Sequence, residues 1–74
     1  MAYYKSIIIN FVGGHVLKFS NQSVANNTIS NIQYENLKSW LDSGGEVHKV
    51  STMNGDDFVL YKSNICFSQI IEKN

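Results

Sequence analysis

The sequence predicts a small α+β domain: an antiparallel sheet of five strands, or a small partly open barrel, in the order β-β-α-β-β-β with one helix packed on it. Two turn signals, Gly13-Gly14 and Asn54-Gly55, each separate runs in which apolar residues recur at short intervals. One stretch, residues 30–43, combines helical periodicity with a capping residue at its start and glycines at its end. The 74 residues leave room for a single domain, so residues 1–74 are read as one unit.

Residues 3–12 read as the first strand, with Ile7, Ile9 and Phe11 alternating with Ser6, Ile8 and Asn10. The second runs from His15 to Ser20. A two-residue Gly-Gly loop would set Asn10 opposite Leu17 and mix the two faces. A three-residue loop, Val12-Gly13-Gly14, sets Ile9 opposite Leu17, Ile7 opposite Phe19 and Ile8 opposite Lys18. It separates apolar from polar and is therefore the expected register, with Gly14 left-handed in the turn. Residues 21–28 are polar and aperiodic, and read as a long surface loop.

The helix opens on Ser30-Asn31-Ile32-Gln33, a capping-box pattern with Ser30 as N-cap. Ile29 and Tyr34 are spaced for a hydrophobic staple across the cap. Tyr34, Leu37 and Leu41 fall on one stripe, widened by Trp40. Lys38 and Asp42 stand at i, i+4. Gly44-Gly45 ends the helix, with one of the two expected left-handed just beyond it.

Residues 46–53 and 57–62 read as a hairpin around Asn54-Gly55. A two-residue turn pairs Val50 with Val59 and His48 with Tyr61; a three-residue loop pairs Val50 with Leu60 and Thr52 with Phe58. The residues do not choose between them. Ile65 to Ile71 reads as the last strand, with Ile65, Phe67 and Ile71 on one face and Ile8, Val16 and Ile70 on faces expected to point outward.

Composition narrows the function. Six lysines balance six acids and arginine is absent from the sequence. This argues against a basic nucleic-acid face and against a bidentate phosphate clamp. Domains this small are marginally stable and usually add disulfides, a metal or a second subunit. With one cysteine, Cys66, no internal disulfide can form, and the ligand set for a metal is thin. Self-association is the route that remains. The N-terminus lacks the features of a signal peptide, and no apolar run approaches the roughly 20 residues a membrane span needs. A lone thiol suits a reducing compartment, so a cytoplasmic protein without a membrane partner is expected.

No catalytic, cofactor or metal set can be assembled, and no enzyme is predicted. Cys66 alternates with Ile65 and Phe67 and is expected to be buried and inert. Asp56-Asp57 lacks the spacing of a calcium loop and reads as turn chemistry. Gly13-Gly14 and Gly44-Gly45 are not placed between a strand and a following helix, as a phosphate loop requires. The candidate binding or interface residues are Tyr3, Tyr4, Ile8, His15, Trp40, His48 and Tyr61. Aromatics dominate interface hot spots, although Trp40 is expected in the core before the interface. His15 is expected as a half-buried sheet residue at a strand end.

Asn, Ile, Lys, Tyr and Phe make up 31 of 74 residues, and proline and arginine do not occur, as in products of AT-rich genomes. With the Gly13-Gly14 hairpin, the capped helix ending Asp42-Ser43-Gly44-Gly45, and Asn54-Gly55-Asp56-Asp57 followed by Tyr61-Lys62-Ser63-Asn64-Ile65, the chain resembles small accessory proteins of phages and prophages of low-GC Gram-positive bacteria. The resemblance implies a non-catalytic, homo-oligomeric protein that sequesters or occludes a host protein or a small signalling ligand, including components of antiviral defence. Tyr61-Lys62-x-x-Ile65 also resembles a segment of Sm-type β-barrels, but those begin with their helix. The alternative function is a single-stranded nucleic-acid binder that stacks bases on Tyr3 and Tyr4 beside Lys5.

Overall fold

The computed structural model describes residues 4–22 and 27–74. Strands β1 (Tyr4–Phe11) and β2 (Val16–Ser20) form the first hairpin in the register that separation of apolar from polar side chains selects, with Ile9 opposite Leu17 and Ile7 opposite Phe19. The loop is Val12-Gly13-Gly14. The Phe11 N–H donates to the His15 carbonyl at 2.8 Å, and the Gly14 N–H to the Phe11 carbonyl at 3.1 Å. Gly14 has φ +94°, a conformation disfavoured by about 1–2 kcal/mol in residues with a side chain.

The predicted loop 21–28 contains a short strand, β3 (Asn27–Thr28), which runs parallel to β2; residues 23–26 lie outside the described residues. Helix α1 (Asn31–Ser43) begins as expected, with the Ser30 hydroxyl accepting from the Gln33 N–H at 3.2 Å. Ile29 and Tyr34 are both buried in the core. Lys38 does not pair with Asp42 but reaches Glu72 at 3.0 Å.

The end of α1 differs from expectation. Gly44 is extended (φ −79°, ψ 179°), and the described glycines with positive φ are Gly13, Gly14 and Gly55. The last carbonyls are satisfied another way. The Gly44 N–H donates to the Trp40 carbonyl at 2.8 Å, and the Lys62 ammonium donates to the same carbonyl at 2.6 Å. A cation at this end also complements the helix dipole. Glycine is needed at 44 for space, because a Cβ there would meet the Trp40 side chain and lie 2.7 Å from the Trp40 Cα.

Strands β4 (Val47–Ser51) and β5 (Asp57–Tyr61) form the second hairpin in neither of the two expected registers. Val50 faces Phe58 and His48 faces Leu60 across the loop Met53-Asn54-Gly55. Gly55 takes the position that Gly14 holds in the first hairpin, with φ +93°. This register brings His48, Val50, Phe58 and Leu60 onto the core side and leaves Val47, Lys49, Val59 and Tyr61 outside.

A 3₁₀ turn, Lys62–Asn64, leads into β6 (Ile65–Lys73), which pairs antiparallel with β1 rather than β5. The expected single five-stranded sheet and barrel therefore do not form. One sheet has the order β3-β2-β1-β6; β4-β5 is a separate two-stranded sheet, and neither closes. The nine-residue β6 finds an eight-residue partner in β1 but would find only five residues in β5, so pairing with β1 satisfies more main-chain groups.

A register shift beside Asn10 and Phe11 leaves Cys66 as an unpaired extra residue in β6. The strand faces change accordingly. Ile65 lies opposite Phe11 and Ile70 opposite Ile7 on the helix side, while Phe67 and Ile71 lie opposite Asn10 and Ser6 on the outer side. Cys66, expected buried, is an exposed free thiol.

Ile7, Ile9 and Phe19 of the larger sheet, Ile29, Tyr34, Leu37 and Trp40 from the helical segment, and Val50 and Leu60 of the second hairpin form one core. Burial falls off across it. In the row Phe19–Ile7–Ile70, the first two are fully buried and Ile70 is 42% exposed. The helix covers the middle of the sheet and leaves its β6 margin partly open.

Candidate functional site

Three places on the molecule offer chemistry or contact surface. The first is a groove of about 390 Å³ between α1 and β6, lined by Glu35, Lys38, Ser39, Leu41 and Asp42 from the helix and by Ser68 and Ile70 from the strand. It exists because the helix overhangs a sheet that ends at β6. At one end of it the Tyr34 hydroxyl donates to Glu72 Oε2 at 2.6 Å, and Lys38 Nζ donates to the same oxygen at 3.0 Å. These two bonds hold the Glu72 carboxyl below its ordinary range, the tyrosine bond contributing most. Burial, and then the carboxylate, push the Tyr34 hydroxyl above the ordinary phenol range. Lys5 lies 5.5 Å from the centre of the Tyr34 ring and 3.5 Å from Glu35. The charges at this end are mutually compensated, which favours a structural role over capture of an ion.

The second place is the junction of α1 with the second hairpin. Trp40 is stacked on His48, with ring centres 5.2 Å apart and planes 19° apart, and the Lys62 ammonium lies 4.6 Å from the Trp40 ring centre. Burial lowers the His48 pKa. Trp40 Nε1 and His48 Nε2 are buried and have no hydrogen-bond partner among the described residues. The stack anchors β4 to the helix. It brings together two candidate residues, Trp40 and His48, with Lys62, which sequence reasoning did not single out. A lysine just after an aromatic-rich strand is a weak signal, and only the fold reveals what it caps.

The third place is the outer surface of both sheets. On the larger sheet, Val16 and Phe67 flank Asn10 in one row across β2, β1 and β6, at 55% and 58% exposure. On the smaller one, Val47 and Tyr61 face each other, with Val59 beyond them, all exposed. Sequence reasoning missed Phe67 as an exposed residue because the bulge at Cys66 reverses its face.

The remaining candidates are scattered. Ile8 is half-buried on the outer face of β1. His15 is exposed at the first turn, not half-buried as expected. Tyr4 is half-buried, its ring 5.7 Å from Lys18 Nζ, and its pKa is lowered chiefly by Lys18. Tyr61 is exposed on the outer face of β5, and Tyr3 lies outside the described residues. Asp57 accepts from the Ser51 hydroxyl at 2.7 Å and lies 3.5 Å from Lys49, a local bracing of the hairpin.

Among the described residues, no group of three or more His, Cys, Asp or Glu side chains is placed to hold a metal ion, and no helix is long and apolar enough to cross a membrane. No known protein family, curated protein or solved structure matches the chain.

Proposed function

We propose that this chain is a non-catalytic binding protein that works as a homo-oligomer, in the manner of a phage or prophage accessory protein, and that it occludes or sequesters a cytoplasmic partner protein or small ligand. The observation that carries the reading is the distribution of apolar side chains. A domain of 74 residues has few apolar groups to spare, yet Val16 and Phe67 stand in solvent on one sheet and Val47, Val59 and Tyr61 on the other. A second copy covering part of this surface would supply burial that one chain lacks.

The reading as a nucleic-acid binder has less support. The Tyr4 ring already faces Lys18, and Lys5 engages Tyr34 and Glu35. Light scattering at micromolar concentrations tests the proposal: a mass at least twice the 8.4 kDa of one chain is expected, and a monomer throughout would contradict it. Salt-sensitive binding of single-stranded oligonucleotides by the monomer would favour the second reading.

A further inference from the structure

We infer that β6 is the homodimer interface: two copies join edge to edge through antiparallel pairing of residues 66–72, making one continuous sheet across the molecular two-fold axis. This inference rests on the proposed self-association and names its surface.

The main-chain direction at this edge follows from the bonds at the other side of β1. The Lys5 carbonyl accepts from the Asn21 N–H, and the Phe11 N–H donates to the His15 carbonyl. The odd-numbered residues of β1 therefore turn their main-chain groups toward β2, and the even-numbered ones turn theirs toward β6. Their partners Phe67, Gln69, Ile71 and Lys73 point back at β1. Ser68, Ile70 and Glu72 are left pointing away, and no described strand lies beyond them.

The middle of the edge is undefended. Residues 67–71 carry no charge or proline, and the devices that usually keep an edge strand from pairing stand only at its ends, the bulge at Cys66 and the charged Glu72 and Lys73. The opposite edge of the sheet, β3, is two residues long. Among the described residues this sheet has one long free edge, so pairing through it closes at two copies instead of propagating.

The strand is also complementary to itself. Centred on Gln69, an antiparallel pair sets Phe67 opposite Ile71 of the second copy, twice, on the outer face. It sets Ser68 opposite Ile70 on the helix side, where both residues have outward-facing main-chain groups. Gln69 meets its own counterpart in a non-hydrogen-bonded pair, with Cα atoms about 4.5 Å apart. The added strand would run beneath the overhanging helix, so that its inward side chains enter the groove lined by Leu41 and Ile70. The exposure of Phe67 and Ile70 and the groove are then three aspects of one unfilled strand position. The zero formal charge of the chain leaves no net repulsion between two copies.

The test combines a block and a trap. Ser68→Pro removes an N–H that the pairing with β1 does not use, and edge strands tolerate proline where the N–H faces solvent. Expected is a monomer by sedimentation velocity with the far-ultraviolet spectrum of the parent. Phe67→Asp, a substitution at an exposed side chain, should raise the dimer dissociation constant at least tenfold and serves if the proline variant fails to fold. In the background Cys66→Ser, the variant Gln69→Cys should form a disulfide-linked dimer on mild oxidation. A folded dimer unaffected by either blocking variant, or failure of Gln69→Cys to cross-link in a dimeric protein, would overturn the β6 interface while leaving self-association through another surface intact. A monomeric parent protein would overturn both.

Discussion

The two hairpins have loops of the same length, closed by the same bonds, and different fates, although the middle residue is left-handed in the first (Gly13) and not in the second (Asn54). In each, a three-residue connection ends on a left-handed glycine, Gly14 or Gly55. In each, that glycine donates back at 3.1 Å, to Phe11 or Thr52, and the flanking main-chain bond is 2.8 Å. The first hairpin then lies inside a four-stranded sheet, with β3 and β6 on its two sides; no described strand pairs with the second. A two-stranded ribbon is marginal in water by itself. Besides one main-chain bond, from the Met53 N–H to the Thr28 carbonyl at 2.8 Å, what holds the second hairpin is side-chain packing: Trp40 on His48, Phe58 edge-on to Phe19 at 5.4 Å, and buried Val50 and Leu60. Turn chemistry makes a hairpin locally, and its surroundings decide whether the ladder or the core keeps it.

Removing the packing is the severest way to break that comparison. Trp40→Ala should destabilise the domain by about 3–5 kcal/mol, enough to unfold much of a domain of this size at room temperature. Thermal melting followed by circular dichroism reads the effect, and a melt close to that of the parent would show that the second hairpin does not depend on the helix. Gly44→Ala comes next. Its Cβ would press on the Trp40 ring and main chain, and overpacking of that kind costs about 1–3 kcal/mol. The closing glycine that the two loops share is tested by Gly14→Ala and Gly55→Ala. Neither Cβ would meet an atom within 4 Å, so each should cost only the backbone term of about 1–2 kcal/mol, and the two should agree in urea titrations.

The smallest effect concerns pH. Burial holds the His48 pKa below its ordinary 6.5, so between the lowered value and 6.5 the unfolded chain binds more protons than the folded one. Its contribution is fully present above pH 6.5 and is lost as pH falls through the folded pKa. His48→Gln should flatten the stability profile in that window, leaving the lower-pH loss that follows from the depressed carboxyls of Glu72, Glu46 and Asp57. An unchanged slope would show that His48 is not desolvated by the Trp40 stack.

Features set by neighbouring residues were legible in the sequence. The helix was readable because Ser30 and the stripe Tyr34, Leu37 and Leu41 all act within a few turns. The first hairpin was readable because only one register separates Ile7, Ile9 and Phe19 from Lys18. The second was not, because Val47, Val50, Val59 and Leu60 supply apolar residues to either face, and Asn54-Gly55 invited a loop that begins at Asn54, one residue later than the observed one. The partner of β6, the bulge at Cys66 and the steric need for Gly44 all depend on contacts far along the chain. The candidate surface suffered most, because a one-residue bulge turned Phe67 outward and placed Ile70 beneath the helix margin.

The inner and outer main-chain rows of β6 offer the most direct test of an edge closed by a second copy. Amide hydrogen exchange should be measured residue by residue across a range of protein concentrations. Phe67, Gln69 and Ile71 should be protected at every concentration, whereas Ser68 and Ile70 should exchange rapidly when dilute and slow as concentration rises. Rapid exchange of Ser68 and Ile70 at all concentrations, beside protected neighbours, would contradict the account.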